Sequence, residues 1–389
     1  MSQSATIGVM NSTVFVLTAS ASAQDLTDEL AMILDRVGLD GVLDDLNRAA
    51  DPCTVPAEAS VEGFTWQRDD RDSALWVPQG ITTSADAVGD EDRGHRVIVT
   101  SWYAKRERGR SKGARVTFVD YTNPARPRYR HVLLVEPVRN GGRGHVDLRP
   151  VPVHAGGIVW YGDYLYVAGT GEGIRVFRID DLMRVPPRGP CRWALSGRWG
   201  RQTIGRSWTG RYRTFGYRYV LPQCFAYTAS SPEGSEDLRY SFMSVDRTGE
   251  QHQLIAGEYG RTGSSARLVR FALDPESLLL SADERRRSLP LELLEDQVPR
   301  MQGATIVKGQ WVITSSNGEG NAGDLWVGAP GSLHRHRGVL PTGPEDITYW
   351  PSTGQLWSLT EWPGRRWVFA MDARRWVPDA DAPEIVGSG

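Results

Sequence analysis

Cysteine and lysine are scarce in this 389-residue chain, and the cysteine pattern excludes two kinds of site. The three cysteines, Cys53, Cys191 and Cys224, show no CxxC spacing, so neither a zinc ribbon nor a redox pair is indicated. Lysine occurs at only three positions, so arginine is nearly the sole cation. We attribute that bias to genome composition and draw no mechanism from it.

The chain also lacks an excess of either charge, since 45 Lys and Arg residues oppose 47 Asp and Glu residues. The net charge of −2 gives no overall attraction to nucleic acid or to an anionic membrane. No window holds the roughly 18 apolar residues that a membrane span needs. We therefore expect a small-molecule substrate, with neither nucleic acid nor a membrane as partner, and leave the oligomeric state open.

Residues 1–23 match a secretion signal only in part. Residues 14–17 form a short apolar core and residues 21–23 a small-residue cleavage site, but the first basic residue is Arg36. Because signal peptides begin with a basic region, we interpret residues 1–23 as a disordered tail and predict a cytoplasmic protein. The alternative is secretion, with residues 1–23 as a degenerate signal.

Recognisable catalytic and cofactor motifs are absent as well, since the chain has no GxSxG, HExxH or Walker sequence. The glycine-rich stretch 169–173 has strand-like runs on both sides and no following helix, so it does not fit a dinucleotide loop. We expect no cofactor and no metal. The alternative is a central calcium at Glu345 or Asp346, although that ion takes six to eight oxygen ligands.

A clear helical period occurs at residues 24–50, where apolar positions from Leu26 to Val37 and from Leu39 to Leu46 follow it. This spacing predicts one helix, or two short helices joined near residues 38–41. We therefore divide the chain into an N-terminal tail and helical extension, residues 1–60, and a β domain, residues 61–389.

The chain is rich in short runs of β-branched and aromatic residues, among them many of its 14 Trp and 13 Tyr. Small residues, an apolar strand, a turn and two further strands recur five times, starting at residues 79–85, 155–161, 222–229, 302–308 and 345–349. Such units stack into a ring because none buries both faces alone. The sequence predicts an all-β fold, a five-bladed β-propeller with a short N-terminal helical extension. A two-sheet sandwich is the rival.

Two segments extend this interpretation. The strand-like run 238–247 has no place in the five-unit pattern. The last unit lacks a following fourth strand, and we predict that the segment around residues 63–68 supplies one and closes the ring.

In a propeller, the starts of the first strands and the loops after the second strands meet at one mouth of the central channel. His154, Glu345 and Glu361 are the candidate catalytic residues, because imidazole and carboxyl groups move protons near neutral pH. The alternative is that such polar side chains only satisfy one another at the channel mouth. The candidate substrate-binding residues are polar or aromatic and comprise Gln79, Trp102, Tyr103, Glu172, Gln223, Glu258, Tyr259, Gln302, Asn317, Asp346 and Trp362.

An insertion at residues 184–217 contains eight arginines, no acidic residue, and Trp193, Trp199, Trp208 and Phe215. Three interpretations remain open: a solvated loop that packs its tryptophans on the sheet edge, a lid over an anionic or aromatic small molecule, and a nucleic-acid contact. The last is the least favoured, because the rest of the chain offers no extended basic face.

Several segments resemble actinobacterial propeller proteins known only as secreted proteins of unknown function. They include WVPQGITTSAD at 76–86, VHAGGIVWYGDYLYV at 153–167 and GVLPTGPEDITYWP at 338–351. The resemblance extends from residue 76 to the C-terminus; it implies a propeller and no established activity. It also implies a signal peptide and a cysteine pair before the first blade. This chain departs from both, since Cys53 stands alone and Thr65 lies near the expected second cysteine, which favours the cytoplasm.

Three functions fit this pattern. The leading hypothesis is a cofactor-free enzyme of specialised, natural-product metabolism, a cyclase or isomerase acting on a largely apolar substrate by acid–base chemistry in the mouth. The second is a glycan-active protein, either a hydrolase or a lectin-like binder, with aromatic rings stacked on sugars. The third is a non-catalytic interaction scaffold, which would expose an apolar patch at the mouth.

Overall fold

The computed structural model describes residues 15–87, 94–107, 109–139, 144–186, 203–231, 234–260, 266–295 and 297–377. Before the repeated units, the chain forms short elements that pack on them. These are β1 (Val16–Ala19), α1 (Gln24–Ala31), β2 (Asp35–Arg36), α2 (Gly38–Leu43), β3 (Arg48–Ala49), β4 (Asp51–Pro52), β5 (Ser60–Thr65) and α3 (Arg68–Arg71).

The first two units are four-stranded and differ in how the fourth strand is reached. Unit 1 contains β6 (Trp76–Thr83), α4 (Ser84–Ala87), β7 (Val97–Ala104), β8 (Ala114–Asp120) and β9 (Arg128–Arg139), followed by β10 (Val146–Pro150). Unit 2 contains β11 (Ile158–Tyr161), β12 (Tyr164–Ala168) and β13 (Gly173–Arg178), then the inserted β14 (Met183–Arg184), β15 (Ile204–Arg206) and β16 (Tyr212–Thr214), and finally β17 (Tyr219–Ser230).

Three further antiparallel units follow along the chain. Unit 3 contains the four strands β18 (Phe242–Asp246), β19 (Gln253–Gly257), β20 (Leu268–Ala272) and β22 (Pro290–Leu294), and the short β21 (Arg287–Ser288) before β22 pairs with β1 instead. Unit 4 contains β23 (Met301–Val307), β24 (Gln310–Ser315), β25 (Ala322–Ala329) and β26 (Ser332–Thr342). Unit 5 contains β27 (Pro344–Trp350), β28 (Gln355–Thr360) and β29 (Trp367–Asp372), with α5 (Ala373–Trp376) after them.

The first strands of the units contact one another in the cyclic order β6, β11, β18, β23, β27 and back to β6. Every residue of β6, β11 and β18 is buried, whereas β26 alternates with exposed positions over its first half. First strands therefore lie inside and fourth strands outside, in an all-β, propeller-like ring. No helix among the described residues is long and apolar enough to cross a membrane.

Glycine allows these inner strands to approach closely. A Cβ atom on Gly157 would lie 2.1 Å from the backbone nitrogen of Met243 in unit 3. One on Gly303 would lie 2.6 Å from the backbone nitrogen of Ile347 in unit 5. Glycine at these two positions is thus required by backbone contact between neighbouring units.

The predicted ring closure is confirmed. Strand β5 pairs antiparallel with β29, in a register that places Thr65 opposite Trp367 and Gly63 opposite Phe369. Unit 5 thereby receives its fourth strand from the N-terminal side of the chain.

The start of the third unit was predicted wrongly. Residues 222–229 belong to β17, the fourth strand of unit 2, where Gln223 lies opposite Phe177. The unplaced run 238–247 instead contains β18, the first strand of unit 3. An outer strand resembles an inner one here because β17 also pairs with β9 and β1, and is therefore buried along most of its length.

The N-terminal segment is more ordered than predicted. Strand β1 pairs with β17 and β21, and Phe15 and Leu17 are buried in the same core as β17. Residues 1–14 lie outside the described residues. Residues 24–50 contain two short helices, α1 and α2, which agrees with the second of the two predicted alternatives. The boundary at residue 60 stays a prediction.

Candidate functional site

A cavity of about 590 Å³ lies where the starts of the inner strands meet the loops that follow the second strands. We call it the mouth cavity. From the strand starts its wall receives Gln79, His154, Ser241, Gln302 and Glu345. From the loops it receives Thr170, Tyr259, Ser316, Glu361 and Trp362. The structure thus brings together residues from all the units, and seven of the predicted site residues are among them.

Two carboxyl groups in this wall, those of Glu345 and Glu361, are hydrogen-bonded to each other, and we call them the carboxyl pair. Gln302 Nε2 donates to Glu345 Oε1 at 3.4 Å, and Gln79 Nε2 donates to Glu361 Oε2 at 3.5 Å. Burial raises the pKa of Glu345 well above its usual range, and the Glu361 carboxyl raises it further. Burial also raises the pKa of Glu361, but less, because the hydrogen bond from Glu345 opposes the rise. Both members of the carboxyl pair are therefore weaker acids than ordinary glutamate side chains.

His154 lies beside Tyr103 and not beside a carboxylate. The two rings stack with centroids 4.2 Å apart and planes inclined by 30°. Partial desolvation by the cavity wall lowers the pKa of His154, so the imidazole is neutral at pH 7. Burial and the nearby carboxyl pair raise the pKa of Tyr103 to about 12. His154 and the carboxyl pair line the same cavity, so both can contact one bound ligand.

Asp346 points away from the cavity into the ring, as expected for the neighbour of Glu345 on a strand. Its carboxylate is fully buried and accepts backbone N–H groups from Ile81 at 3.3 Å, Ile158 at 3.4 Å and Ile347 at 3.0 Å. Burial raises its pKa well above the usual range. These three donors satisfy the Asp346 carboxyl group within the ring, and the central calcium considered from the sequence stays a hypothesis. The described residues contain no cluster of three His, Cys, Asp or Glu side chains suited to a metal.

Two predicted binding residues are buried outside the cavity wall, where they pack against or pair with buried arginines. Trp102 is fully buried on the opposite side of β7 from Tyr103, with the Arg115 guanidinium 4.6 Å from its ring. Glu258 is also fully buried and accepts two hydrogen bonds from the Arg267 guanidinium, at 2.7 and 2.8 Å. Neither side chain belongs to the wall of the mouth cavity.

Three more predicted residues lie elsewhere. Gln223 is on the outer strand of unit 2, because the third unit begins later than expected. Glu172 is exposed and pairs with Arg175. Asn317 donates within its own loop, to the Ala322 carbonyl at 2.8 Å and to an Asp324 oxygen at 3.0 Å.

The sequence did not single out several residues of the mouth cavity. Arg239 and Ser241 precede β18, so the unplaced run 238–247 was the signal that could have found them. Thr170, Ser316 and Glu319 lie in loops whose side-chain directions the strand period does not determine. Arg239 has no ion-pair partner among the residues that the structure describes, and adds a positive charge to a wall that also holds Glu319, Glu345 and Glu361.

Comparisons with known proteins give no family for this chain. No family model matches it, and no curated protein does. Among solved structures, the RS223 β-xylosidase is 9% identical with a TM-score of 0.34, covering 76% of this chain and 92% of that one. The GH43_1 enzyme from Xanthomonas citri complexed with xylotriose is 10% identical with a TM-score of 0.31, covering 77% and 87%. The Cps50 (Swd1) β-propeller domain of Myceliophteria thermophila is 12% identical with a TM-score of 0.31, covering 74% and 99%. Identities and TM-scores this low support no functional conclusion for this chain. The fold is established by the strand pairing and by the contacts between first strands.

Proposed function

We propose that the protein is a five-bladed β-propeller that binds a carbohydrate in the mouth cavity. The blade count is supported by the five four-stranded units and by the cyclic contacts of their first strands. The ligand class is supported by the composition of the cavity wall, since sugars present hydroxyl groups around their edge and C–H groups on their faces.

One observation carries the ligand class: hydrogen-bonding and aromatic side chains line the same cavity. Gln79, Gln302 and the carboxyl pair offer donors and acceptors to hydroxyl groups. Tyr259 and Trp362 provide rings in the same wall.

We propose binding ahead of hydrolysis for the carboxyl pair. Glycosidases hold their two carboxyl groups about 5–5.5 Å apart for retention or 6.5–9.5 Å for inversion, with the sugar between them. Glu345 and Glu361 instead shift each other's pKa through a side-chain interaction, which suits a lectin-like binder better than a hydrolase that uses this pair.

A panel of neutral oligosaccharides, followed by thermal shift and then calorimetry, tests this proposal, because a ligand that binds only the native state raises the Tm. Removing one stacking ring by Trp362→Ala should weaken the best ligand about 3- to 10-fold. Trp208→Ala is the matched control, since Trp208 is 86% exposed and lies in the insertion. If no sugar raises the Tm, or if both variants bind equally well, the proposal is wrong.

Proton transfer to the bound ligand is the second candidate function, and it is favoured by the presence of Glu345, Glu361 and His154 in one cavity wall. Glu345 would donate and Glu361 accept, with His154 across the ligand as a neutral base. Incubation with the bound sugar in D₂O would reveal isomerisation as deuterium incorporation, and hydrolysis as new reducing ends. We expect Glu361→Gln and His154→Ala each to slow such a reaction at least about 100-fold. Unchanged turnover in both variants would remove this mechanism.

The other sequence-based hypotheses gain less support. An apolar substrate fits poorly beside three carboxyl groups and Arg239, so the cyclase proposal retains only its acid–base component. A scaffold would expose an apolar patch at the mouth, whereas the exposed large apolar side chains of the described residues lie elsewhere, at positions such as Val61, Leu289 and Leu291. The cytoplasmic location and the oligomeric state stay open.

A further inference from the structure

A second cavity, of about 470 Å³, lies beside unit 1 and is covered by the end of the insertion. We call it the basic cavity. Five permanently cationic side chains contribute to its wall: Arg48, Lys112, Arg115, Arg130 and Arg218. No aspartate or glutamate contributes to that wall, and it shares no residue with the mouth cavity.

The positive charge of this wall is only partly neutralised from behind. Asp70 lies 3.1 Å from Arg48 and 3.0 Å from Arg115, and Asp45 lies 3.1 Å from Arg130. Five cations against two carboxylates leave an excess of three positive charges.

Arg218 and Lys112 supply two of these three charges, and the third arises because Arg48 and Arg115 share Asp70. Arg218 donates to the Val185 carbonyl at 3.0 Å, which carries no net charge. Lys112 has no ion-pair partner in the part of the chain that the structure describes. Both side chains are half-buried, which weakens the screening of their charge by solvent.

The innermost cation, Arg115, is held rigidly. It is 4% exposed, and its guanidinium lies 4.6 Å from the ring of Trp76 and 4.6 Å from that of Trp102. It donates to Asp70 Oδ1 at 3.0 Å and to the Tyr217 hydroxyl at 3.2 Å, while its Nε has no hydrogen-bond partner among the described residues. A cation fixed in this way needs no reordering when an anion binds.

His131 completes the inner wall without adding charge. Burial and the Arg115 charge lower its pKa to about 4, so it is neutral at pH 7. Its Nδ1 lies 2.7 Å from the Thr117 hydroxyl. Aromatic rings of Trp76, Phe215 and Tyr217 form the remaining wall, and the last two come from the insertion.

We propose that the basic cavity binds a small phosphate ester. Arginine and lysine donors in a partly buried wall match phosphate oxygens, and the aromatic rings provide surface for the organic part of the ester. The volume suits a small molecule and not a nucleic-acid strand. The insertion then acts as the wall of an anion site, which is one of the three interpretations that its arginines and aromatic residues left open.

Calorimetry with phenyl phosphate as the probe tests this proposal, with phenol, inorganic phosphate and potassium chloride of equal ionic strength as comparisons. Phenyl phosphate should bind more tightly than inorganic phosphate because the rings contact its phenyl group, and phenol should not bind. The Lys112→Gln and Arg218→Gln double variant should lower the affinity for phenyl phosphate at least about 10-fold, since each substitution removes a charge-assisted hydrogen bond. Lys308→Gln, a change at a lysine in the β23–β24 turn of unit 4, should leave binding unchanged.

Binding of phenyl phosphate that the double variant loses and Lys308→Gln keeps would support the proposal. Equal affinity in the wild type and in a double variant of unchanged Tm would overturn it. Binding of inorganic phosphate without phenyl phosphate would overturn the assignment of an ester. No binding above the chloride control would overturn the site altogether.

Discussion

Glu345 in the mouth cavity and Asp70 behind the basic cavity are equally buried, each 4% exposed, yet their acidities shift in opposite directions. Burial raises the pKa of Glu345, whose nearest ionisable neighbours are other carboxyl groups. Burial acts on Asp70 in the same sense, but attraction by His131, Arg115 and Arg48 outweighs it and holds the pKa far below the usual range. Because His131 is neutral at pH 7, the arginines supply the charge there. Neighbouring charge, and not depth, decides which buried acid ionises.

Arg366 lies between the two regions and contacts both through backbone oxygens. Its Nε donates to the Glu361 carbonyl at 2.7 Å and one terminal nitrogen donates to the Asp70 carbonyl at 2.8 Å. Burial and the nearby Arg115 lower its pKa to about 10, so it remains charged at neutral pH. The mouth cavity therefore keeps its acids next to a fixed cation without an ion pair to either member of the carboxyl pair.

The largest effect should come from Asp70→Asn, which leaves buried arginines without their counter-ion. We expect the free energy of unfolding to fall by about 3–5 kcal/mol, measured by urea titration. The control is Asp72→Asn at the end of the same short helix, where the side chain is partly exposed and paired with Arg71. A loss below about 1 kcal/mol for Asp70→Asn would contradict the electrostatic account of the basic cavity.

A smaller effect, of opposite sign, should follow Glu345→Gln. Above the usual glutamate pKa of 4.5, the folded protein keeps a proton on Glu345 that the unfolded chain has lost. The native state then binds more protons, so stability falls as pH rises until Glu345 ionises. The glutamine variant lacks this loss, and its Tm should exceed that of the wild type by a few degrees at pH 8 and by about none at pH 4.

Glu319→Gln is the control for this pH series, because Glu319 lies in the same cavity wall on an exposed loop. Its Tm difference from the wild type should not grow with pH. A Glu345→Gln variant that is less stable than the wild type at pH 8 would show that the carboxyl pair is ionised and held by other contacts.

The smallest effect should come from Glu172→Gln. This exposed residue pairs with Arg175 on the same hairpin, and such pairs contribute at most about 1 kcal/mol. Carbohydrate affinity should also stay unchanged, because Glu172 is outside the mouth cavity wall. Weaker ligand binding in this variant, measured by calorimetry, would extend the site beyond its described wall.

The repeated units and the position of the mouth cavity could be predicted from the sequence, because the strand period and the small residues at strand starts are local signals. Gln79, Gln302 and Glu345 could be located for that reason. Gln223 could not, since a long insertion delays the fourth strand of unit 2 and makes it resemble the next first strand. The pairing of Glu258 with Arg267 had a local signal, as the two residues flank one β-hairpin, at the end of β19 and the start of β20. Asp70 and Arg115 lie 45 positions apart on different elements, and no local pattern connects them.

The pairing of β5 with β29 has a consequence for synthesis of the chain. Thr65 leaves the ribosome long before its partner Trp367, and translation at about 5–20 residues per second separates the two by roughly 15–60 s. During that interval β5 presents unpaired backbone groups, which invite association with other chains. Until β29 has been synthesised, β5 must be kept from pairing with other chains. Slower translation lengthens this interval and would favour aggregation over the pairing of β5 with β29.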